Sequence, residues 1–400
     1  MGTSLRNARN VLVAGAFLCT SLSAAGFGLP SDAATAGPPP AGLAATKIAT
    51  QPQAKAGTTG YNGKKWSSAI LDLEIDGNSL IAGYGDWNAN SDSYGGPNGR
   101  TGIVPLNLST LAWGPITHTG TEANSLIRRI NGHLYAPTTD PSLNGRGGYA
   151  SNKSGTWAVY EPEPVASTAI HVFDIVGVGA NELWMFGSTK NPADPSNPAG
   201  QATAWRSTDA GQTWSVAKNE GSTPAFGGRG YERYYWGAAL GNKVFTQATR
   251  TSPATPLWSF DSAKSSWTSM PASAACPGFS STQPNIAVFK AEAVCGTTAT
   301  SITTGMPVFN GSTSRTVPWP AGERGAVDFY SDGTSFYILT LDRSGDGRQS
   351  IYRASTLNGS WTAMGSLPSN GQNYRTLAVK GNTAYVGTAT ADIFRAPLGG

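Results

Sequence analysis

The sequence predicts an all-β chain folded as a seven-bladed β-propeller and closed by an N-terminal strand that completes the last blade. Two landmark series and the composition carry this prediction. Tryptophans recur at Trp66, Trp113, Trp157, Trp214, Trp267, Trp319 and Trp361, with gaps of 47, 44, 57, 53, 52 and 42 residues, about one blade each. The 400 residues include 50 Gly and 26 Pro with only 13% charged, which suits short strands joined by turns. With 39% hydrophobic residues and 12 Trp the chain can bury a core, so it is not a disordered composition.

The second landmark is a tight turn between the first two strands of each blade. Candidates are Asp76-Gly77-Asn78, Asn131-Gly132, Gly179-Ala180-Asn181, Gly241-Asn242, Asp332-Gly333 and Gly381-Asn382, with a degenerate one at Lys290-Ala291. Hairpin turns need positive φ, which Gly, Asn and Asp adopt most readily. Runs such as Ser79–Gly83, Glu182–Phe186 and Ser335–Thr340 flank them as strands. Trp66 has no turn before it, and Gly381-Asn382 has no tryptophan after it. The strand around Tyr61–Ser67 is therefore expected to become the outer strand of the blade formed by Tyr374–Leu398, removing the free edges of an open ring.

The N-terminus reads as a secretory signal, residues 1–36. Arg6 and Arg9 precede an apolar stretch from Val11 to Phe27, and cleavage is expected at Ala34/Ala36 or Ser23/Ala25. A single-span anchor is the alternative, but it needs about 20 apolar residues. Residues 37–59 are Pro/Ala/Thr-rich and read as a flexible leader, followed by one propeller domain over 60–400. Cys276 and Cys295 remain after signal removal, and such a pair in an exported chain is expected to form a disulfide. The expected product is an extracellular monomer, with no membrane association once the signal is removed. A net charge of +4 without a Lys/Arg run gives no footprint for nucleic acid.

Ser207-Thr208-Asp209-Ala210-Gly211-Gln212-Thr213-Trp214 matches the Asp-box pattern S-x-D-x-G-x-T-W. On this motif, and on degenerate copies over 60–398, the chain resembles the sialidase-like, Asp-box (BNR-repeat) superfamily of secreted propellers. The resemblance implies glycan-directed function, and it implies that Asp209 holds its own turn on the face away from the site. Two departures count against a sialidase: the arginine-isoleucine-proline motif is missing, and sialidases have six blades. Secreted seven-bladed propellers also include polysaccharide lyases and lectins.

Candidate site residues fall in the loops and inner-strand starts of the other face. In blade one these are Tyr84, Asp86 and Trp87, where aromatic rings could stack on sugar CH faces while the carboxylate bonds hydroxyls. The next junction offers Glu122 beside His118, Thr121 and Asn124, and the following loop offers Asp140 and Arg146. His171 opens an inner strand near the axis and is suited to proton transfer, although a core histidine bonded to backbone is the alternative. Tyr231 and Arg233 lie in a dense polar-aromatic junction. Arg233, Arg324 and Arg375 start inner strands of three blades and could clamp a carboxylate or sulfate, or else pair with Glu232, Glu323 and Asp328. The expected catalytic set is Asp86, Glu122, His171 and Tyr231; Tyr84, Trp87, Asp140, Arg233, Arg324 and Arg375 bind substrate. No H-E-x-x-H, P-loop or C-x-x-C occurs, so no metal site is expected and no cofactor is required by sequence. The function expected is cleavage of an extracellular, anionic saccharide by a hydrolase or lyase, with a non-catalytic glycan-binding or protein-interaction propeller as the alternative.

Overall fold

Seven small antiparallel sheets follow one another along the chain, each running from an innermost to an outermost strand. The computed structural model describes residues 40–54, 69–85, 101–140, 146–190, 200–220, 232–249, 255–271, 274, 284–297, 305–341, 348–369 and 371–399. Blade one is built from Ile70–Asp76, Ser79–Tyr84 and Pro105–Asn107, with Trp113 bridging Leu106 where a fourth strand would lie. The innermost strands of the other blades are Arg128–Ile130, Ala169–Val178, Ala238–Leu240, Pro284–Phe289, Ala326–Ser331 and Tyr374–Lys380. The chain is a seven-bladed propeller, as the landmarks predict.

All seven first-hairpin turns fall where the sequence places them, and each contains a residue at positive φ. Gly77, Gly132, Gly179, Gly241, Gly333 and Gly381 serve six blades, and Lys290, at φ 55°, serves the fifth. The outer turns also share a device. Asn107, Asp209, Asp261, Asn310 and Asn358 each accept hydrogen bonds from backbone amides two to four residues ahead. A short acceptor side chain holding its own turn is what Asn and Asp do best.

The closing strand is not the expected one. Thr46–Thr50 pairs antiparallel with Asp392–Pro397, giving the last blade its fourth strand. The ring does close through an N-terminal strand, but that strand comes from the stretch read as a flexible leader, and residues 61–67 lie outside the described residues. The pairing is fixed by long-range contacts: Lys47 reaches Asp392 at 2.8 Å while Thr50 bonds the same carboxylate at 2.7 Å.

The core is distributed between blades. Phe245 meets Phe309 between blades four and five, Phe289 meets Phe336 between five and six, and Trp184 packs on Phe260 and Trp267 between three and four. One cluster runs continuously from blade six through seven into one, so burial as well as hydrogen bonding seals the ring.

A polar device also fastens neighbouring blades. Asp72, Asp174 and Asp328 each lie just after a β-bulge in an innermost strand. Each carboxylate accepts an amide from the next blade: Ile127 at 2.6 Å, Gly237 at 2.9 Å and Leu377 at 2.7 Å. Arg128 plugs the axis at this level. Its guanidinium grips Asp174 through Nε at 3.0 Å and Nη2 at 2.9 Å, and Nη1 donates to the Ile286 carbonyl across the channel at 2.8 Å.

Candidate functional site

The end of the channel opposite the hairpin turns gathers residues from consecutive blades. Tyr84 ends the second strand of blade one, and its carbonyl accepts the Asn124 amide at 2.9 Å. Gly85 makes this approach possible, because a Cβ there would lie 2.3 Å from Ala123 Cα. The junction is then stitched to blade two. The Glu122 amide donates to the Asp140 carbonyl, and the Thr121 hydroxyl and Asp140 backbone exchange bonds of 3.1 Å in both directions.

Asp140 faces His171 across the next blade boundary, Oδ2 to Nε2 at 3.5 Å, while Ser188 Oγ lies 3.0 Å from Nδ1. His171 sits this deep because Gly187, beside Ser188, admits the His171 carbonyl; a Cβ would come within 1.9 Å of that oxygen. The imidazole stacks on Phe173 with centroids 5.0 Å apart, Phe173 packs on Tyr235 at 4.5 Å, and Arg233 donates to the Tyr235 hydroxyl at 3.1 Å. The Arg233 guanidinium also lies over the Phe173 ring at 5.6 Å. Tyr84, Glu122, Asp140, His171 and Arg233 therefore lie along one arc from blade one to blade four, but Tyr84 and Glu122 join it through their backbones. Their side chains are buried, so Tyr84 does not offer the sugar-stacking face expected of it.

The Ser188–His171–Asp140 order invites comparison with a nucleophilic triad. Burial argues against that chemistry: Ser188 is 0% exposed and His171 only 7%. A hydroxyl sealed inside the sheet cannot reach a polymer, so Ser188 is a positioning partner that fixes the ring. Asn124 is also fully buried, and neither atom of its carboxamide finds a hydrogen-bond partner among the described residues. Such a group calls for a water or a ligand hydroxyl.

Arg324 and Arg375 lie near the same end of the innermost strands in blades six and seven. Both are exposed, and neither is drawn into the arc among the described residues. Their suggested partners are engaged elsewhere: Glu323 receives the Tyr352 hydroxyl and Asp328 the Leu377 amide. Arg146 is held by Glu163. Asp86, Trp87, Tyr231 and Cys276 lie outside the described residues, while Cys295 is buried in the strand Glu292–Thr297. Among the described residues no group of three His, Cys, Asp or Glu side chains could hold a metal ion.

Asp209 sits at the other end of the blade. Ala210, next to it, donates to the carbonyl of Asn181 in the first hairpin turn. Its carboxylate accepts the Thr213 hydroxyl at 2.5 Å, the Thr213 and Gln212 amides and the Ser207 hydroxyl. Those bonds, the Thr213 hydroxyl first, hold its carboxyl well below the usual range.

Sequence reasoning missed Ser188, Phe173 and Tyr235 as partners of His171 and Arg233, and it missed the channel carboxylates. A signal for the latter exists. Asp72, Asp174 and Asp328 each sit between two apolar residues and five positions before a turn glycine (72 to 77, 174 to 179, 328 to 333).

No protein-family model and no curated protein sequence matches this chain. Among solved structures it is similar to an enzyme of Niastella koreensis described as GH74, at 16% identity and TM-score 0.47 over 83% of this chain and 43% of that one. It is similar to a PL25 ulvan lyase at 10% identity and TM-score 0.47, over 84% of this chain and 94% of that one. The computationally designed Ika8 protein, at 9% identity and TM-score 0.45, covers 88% of this chain and 99% of its own. These likenesses are of overall architecture.

Proposed function

We propose that the chain is a secreted, glycan-cleaving propeller acting on an anionic saccharide at the mouth that carries His171. One observation carries the reading: an imidazole with Asp140 Oδ2 3.5 Å from its Nε2 stands in an aromatic row with Phe173 and Tyr235 that ends at Arg233. Aromatic faces suit sugar CH surfaces, and a guanidinium suits a carboxylate or sulfate. In this reading His171 moves the proton and Asp140 orients it. Arg233 binds the anionic group, with Arg324 and Arg375 extending the positive rim. Glu122, Asp86 and Tyr231 complete the catalytic set and Trp87 the binding surface, while Tyr84, 1% exposed, backs that surface from within rather than stacking on a sugar.

Elimination beside a uronate would take the proton at the carbon next to the carboxylate and expel the glycosidic oxygen, leaving an unsaturated sugar. Hydrolysis would leave a saturated one. Purified protein should be incubated with uronate-containing, sulfated and neutral polysaccharides while reducing ends and the ultraviolet absorbance of the unsaturated product are followed. Cleavage of an anionic polymer that is lost in His171→Gln and Asp140→Asn supports the reading, and cleavage unaffected by both substitutions sinks it.

A non-catalytic glycan binder is the second reading, favoured by the depth of His171 and by both its ring nitrogens facing protein partners. It predicts retention of anionic polysaccharide that depends on Arg233, with no new reducing ends. Export is part of the proposal, and with it a Cys276–Cys295 disulfide. Unreduced protein should then resist thiol labelling at both positions, and labelling of either would end that part.

A further inference from the structure

The hairpin-turn mouth of the channel opens into a cavity of about 820 Å³, walled by the innermost strands of all seven blades below the Arg128 plug. Its walls combine Ile75, Val176, Val288 and Val379 with the carboxyl groups of Asp72, Glu74, Asp328 and Asp332. Two cations balance these four, and Arg128 is already committed to Asp174. Arg129 is the other. Its Nη2 bonds the Ile75 carbonyl, and its contact with Glu74 is 3.5 Å, longer than a charge-assisted hydrogen bond. The cavity therefore carries an excess of carboxyl groups.

Two polar groups in it retain capacity for a ligand. Asp72 spends its oxygens on the Leu73 and Ile127 amides, Asp328 bonds the Leu377 amide, and Asp332 holds the Thr334 and Ser335 amides of its own turn. Glu74 has only the long Arg129 contact and a bond at its own backbone neighbour Ile75. Tyr330 is 93% buried, being 7% exposed, and lines the cavity, yet its hydroxyl has no hydrogen-bond partner among the described residues. The hydroxyl stays open to the cavity, so it can accept a hydrogen bond from a ligand there.

The geometry points to a second ligand site here, for a small organic ammonium compound whose positive group bonds Glu74 and Tyr330 while its body lies along the apolar wall. An ammonium brings donors only, which matches a carboxylate and a phenolic oxygen and would be repelled by no nearer cation than Arg129. This site is independent of the reading given for the opposite mouth, whose arginines select the other charge.

The titration of Glu74 adds a signature. Burial, then the neighbouring Asp72, push its carboxyl up to about 8. Asp174, Asp328, Asp332, Arg128, Arg129 and Tyr330 are the other ionisable groups around this end of the axis. At neutral pH the empty site holds a proton on Glu74 that an ammonium would displace, so binding should release protons and strengthen as pH rises toward 8.

Three six-carbon linear polyols test this by calorimetry at pH 7: glucamine (cationic), sorbitol (neutral) and gluconate (anionic). Glucamine should bind at least about tenfold more tightly than either other probe, with proton release read from buffers of different ionisation enthalpy. Glu74→Gln should abolish the preference, and Tyr330→Phe should weaken glucamine severalfold. Arg233→Met, at the other mouth, should leave it unchanged, and unaltered thermal unfolding would show each variant folded. Equal binding of the three probes, no binding of glucamine, or glucamine binding indifferent to both Glu74→Gln and Tyr330→Phe would overturn the proposal.

Discussion

The two ends of the innermost strand of blade three sit in different chemical worlds. Its first residues place His171 among Phe173, Tyr235 and Arg233, where aromatic rings and a guanidinium line a mouth. A few residues later Asp174 locks Arg128, and beyond it Ile175 to Gly179 wall a cavity of predominantly acidic character. The same backbone thus serves a candidate site at one end and the assembly of the ring at the other. The difference is in what the charges touch. At the plug each charge is bonded to backbone or to an opposite charge from another blade, whereas at the His171 mouth Arg233 rests on ring faces and a tyrosine hydroxyl.

The sharpest way to break this contrast is Arg128→Ala. It would strand the Asp174 carboxylate, which is fully buried, and cut the tie to Ile286. Removing one partner of a buried pair costs about 3–5 kcal/mol, so urea denaturation should show a loss of that size. Activity or glycan binding of the remaining folded fraction should persist. A loss below about 1 kcal/mol, the level of an exposed pair, would mean that the plug does not hold the ring.

The next effect is on pH. Burial raises Asp72 to about 7, against its two amide bonds, and Glu74 to about 8. Between the ordinary carboxylate range near 4 and these values the folded protein binds more protons than the unfolded chain. Stability must therefore fall as pH rises from about 4 to about 8. A tenfold change in proton affinity is worth about 1.4 kcal/mol, so the two carboxyls together should cost several kcal/mol over this range. Denaturation midpoints measured across it should decline for the parent, and the decline should flatten in Asp72→Asn and Glu74→Gln. A parent curve that is level or rising would contradict the burial of this pair.

At the other end, His171→Gln should lower cleavage by about a hundredfold, the low end of a general acid–base contribution, while changing the denaturation midpoint little. Asp140→Asn should act in the same direction and shift the pH profile, because it removes the charge beside the ring. If His171→Gln unfolds the protein and spares activity of the folded fraction, the histidine belongs with the scaffold and the binding reading gains.

How far this contrast could be read from sequence follows from the kind of interaction. The hairpin turns were legible because positive φ restricts residue choice locally, and even the irregular Lys290 fell at its expected place. The closing strand was assigned to the wrong segment. Nothing local distinguishes Thr46–Thr50 as an edge partner of Asp392–Pro397, nearly the whole chain away. The neighbours of His171 were hidden for the same reason: Ser188 meets it through strand register and Tyr235 through packing between blades. The inter-blade aspartates were legible in principle, since their spacing to the turn glycine repeats in three blades. Reading them required knowing that a bulge turns that carboxylate toward the next blade's amide.

The smallest effect should come from Asp209, and it tests the contrast from a third position. Asp209 is half-buried, and its carboxylate is depressed by hydrogen bonds from Thr213, Ser207 and Gln212, the reverse of the channel pair. A depressed carboxyl stabilises the fold above its ordinary value near 4 and loses that contribution as pH falls toward its folded value. Asp209→Ala should therefore lower the thermal midpoint modestly at neutral pH, less in strong acid, and leave the decline between pH 4 and 8 untouched. Asp209→Asn should recover part of the loss, because Asn310 holds the Ser312 and Thr313 amides in the equivalent turn of blade five without a charge. Cleavage and anionic-glycan binding should be unchanged in both variants, since the turn packs beside Asn181 at the hairpin end. An Asp209→Ala protein that melts normally but loses cleavage would place function at the hairpin end and reverse the assignment of the two mouths.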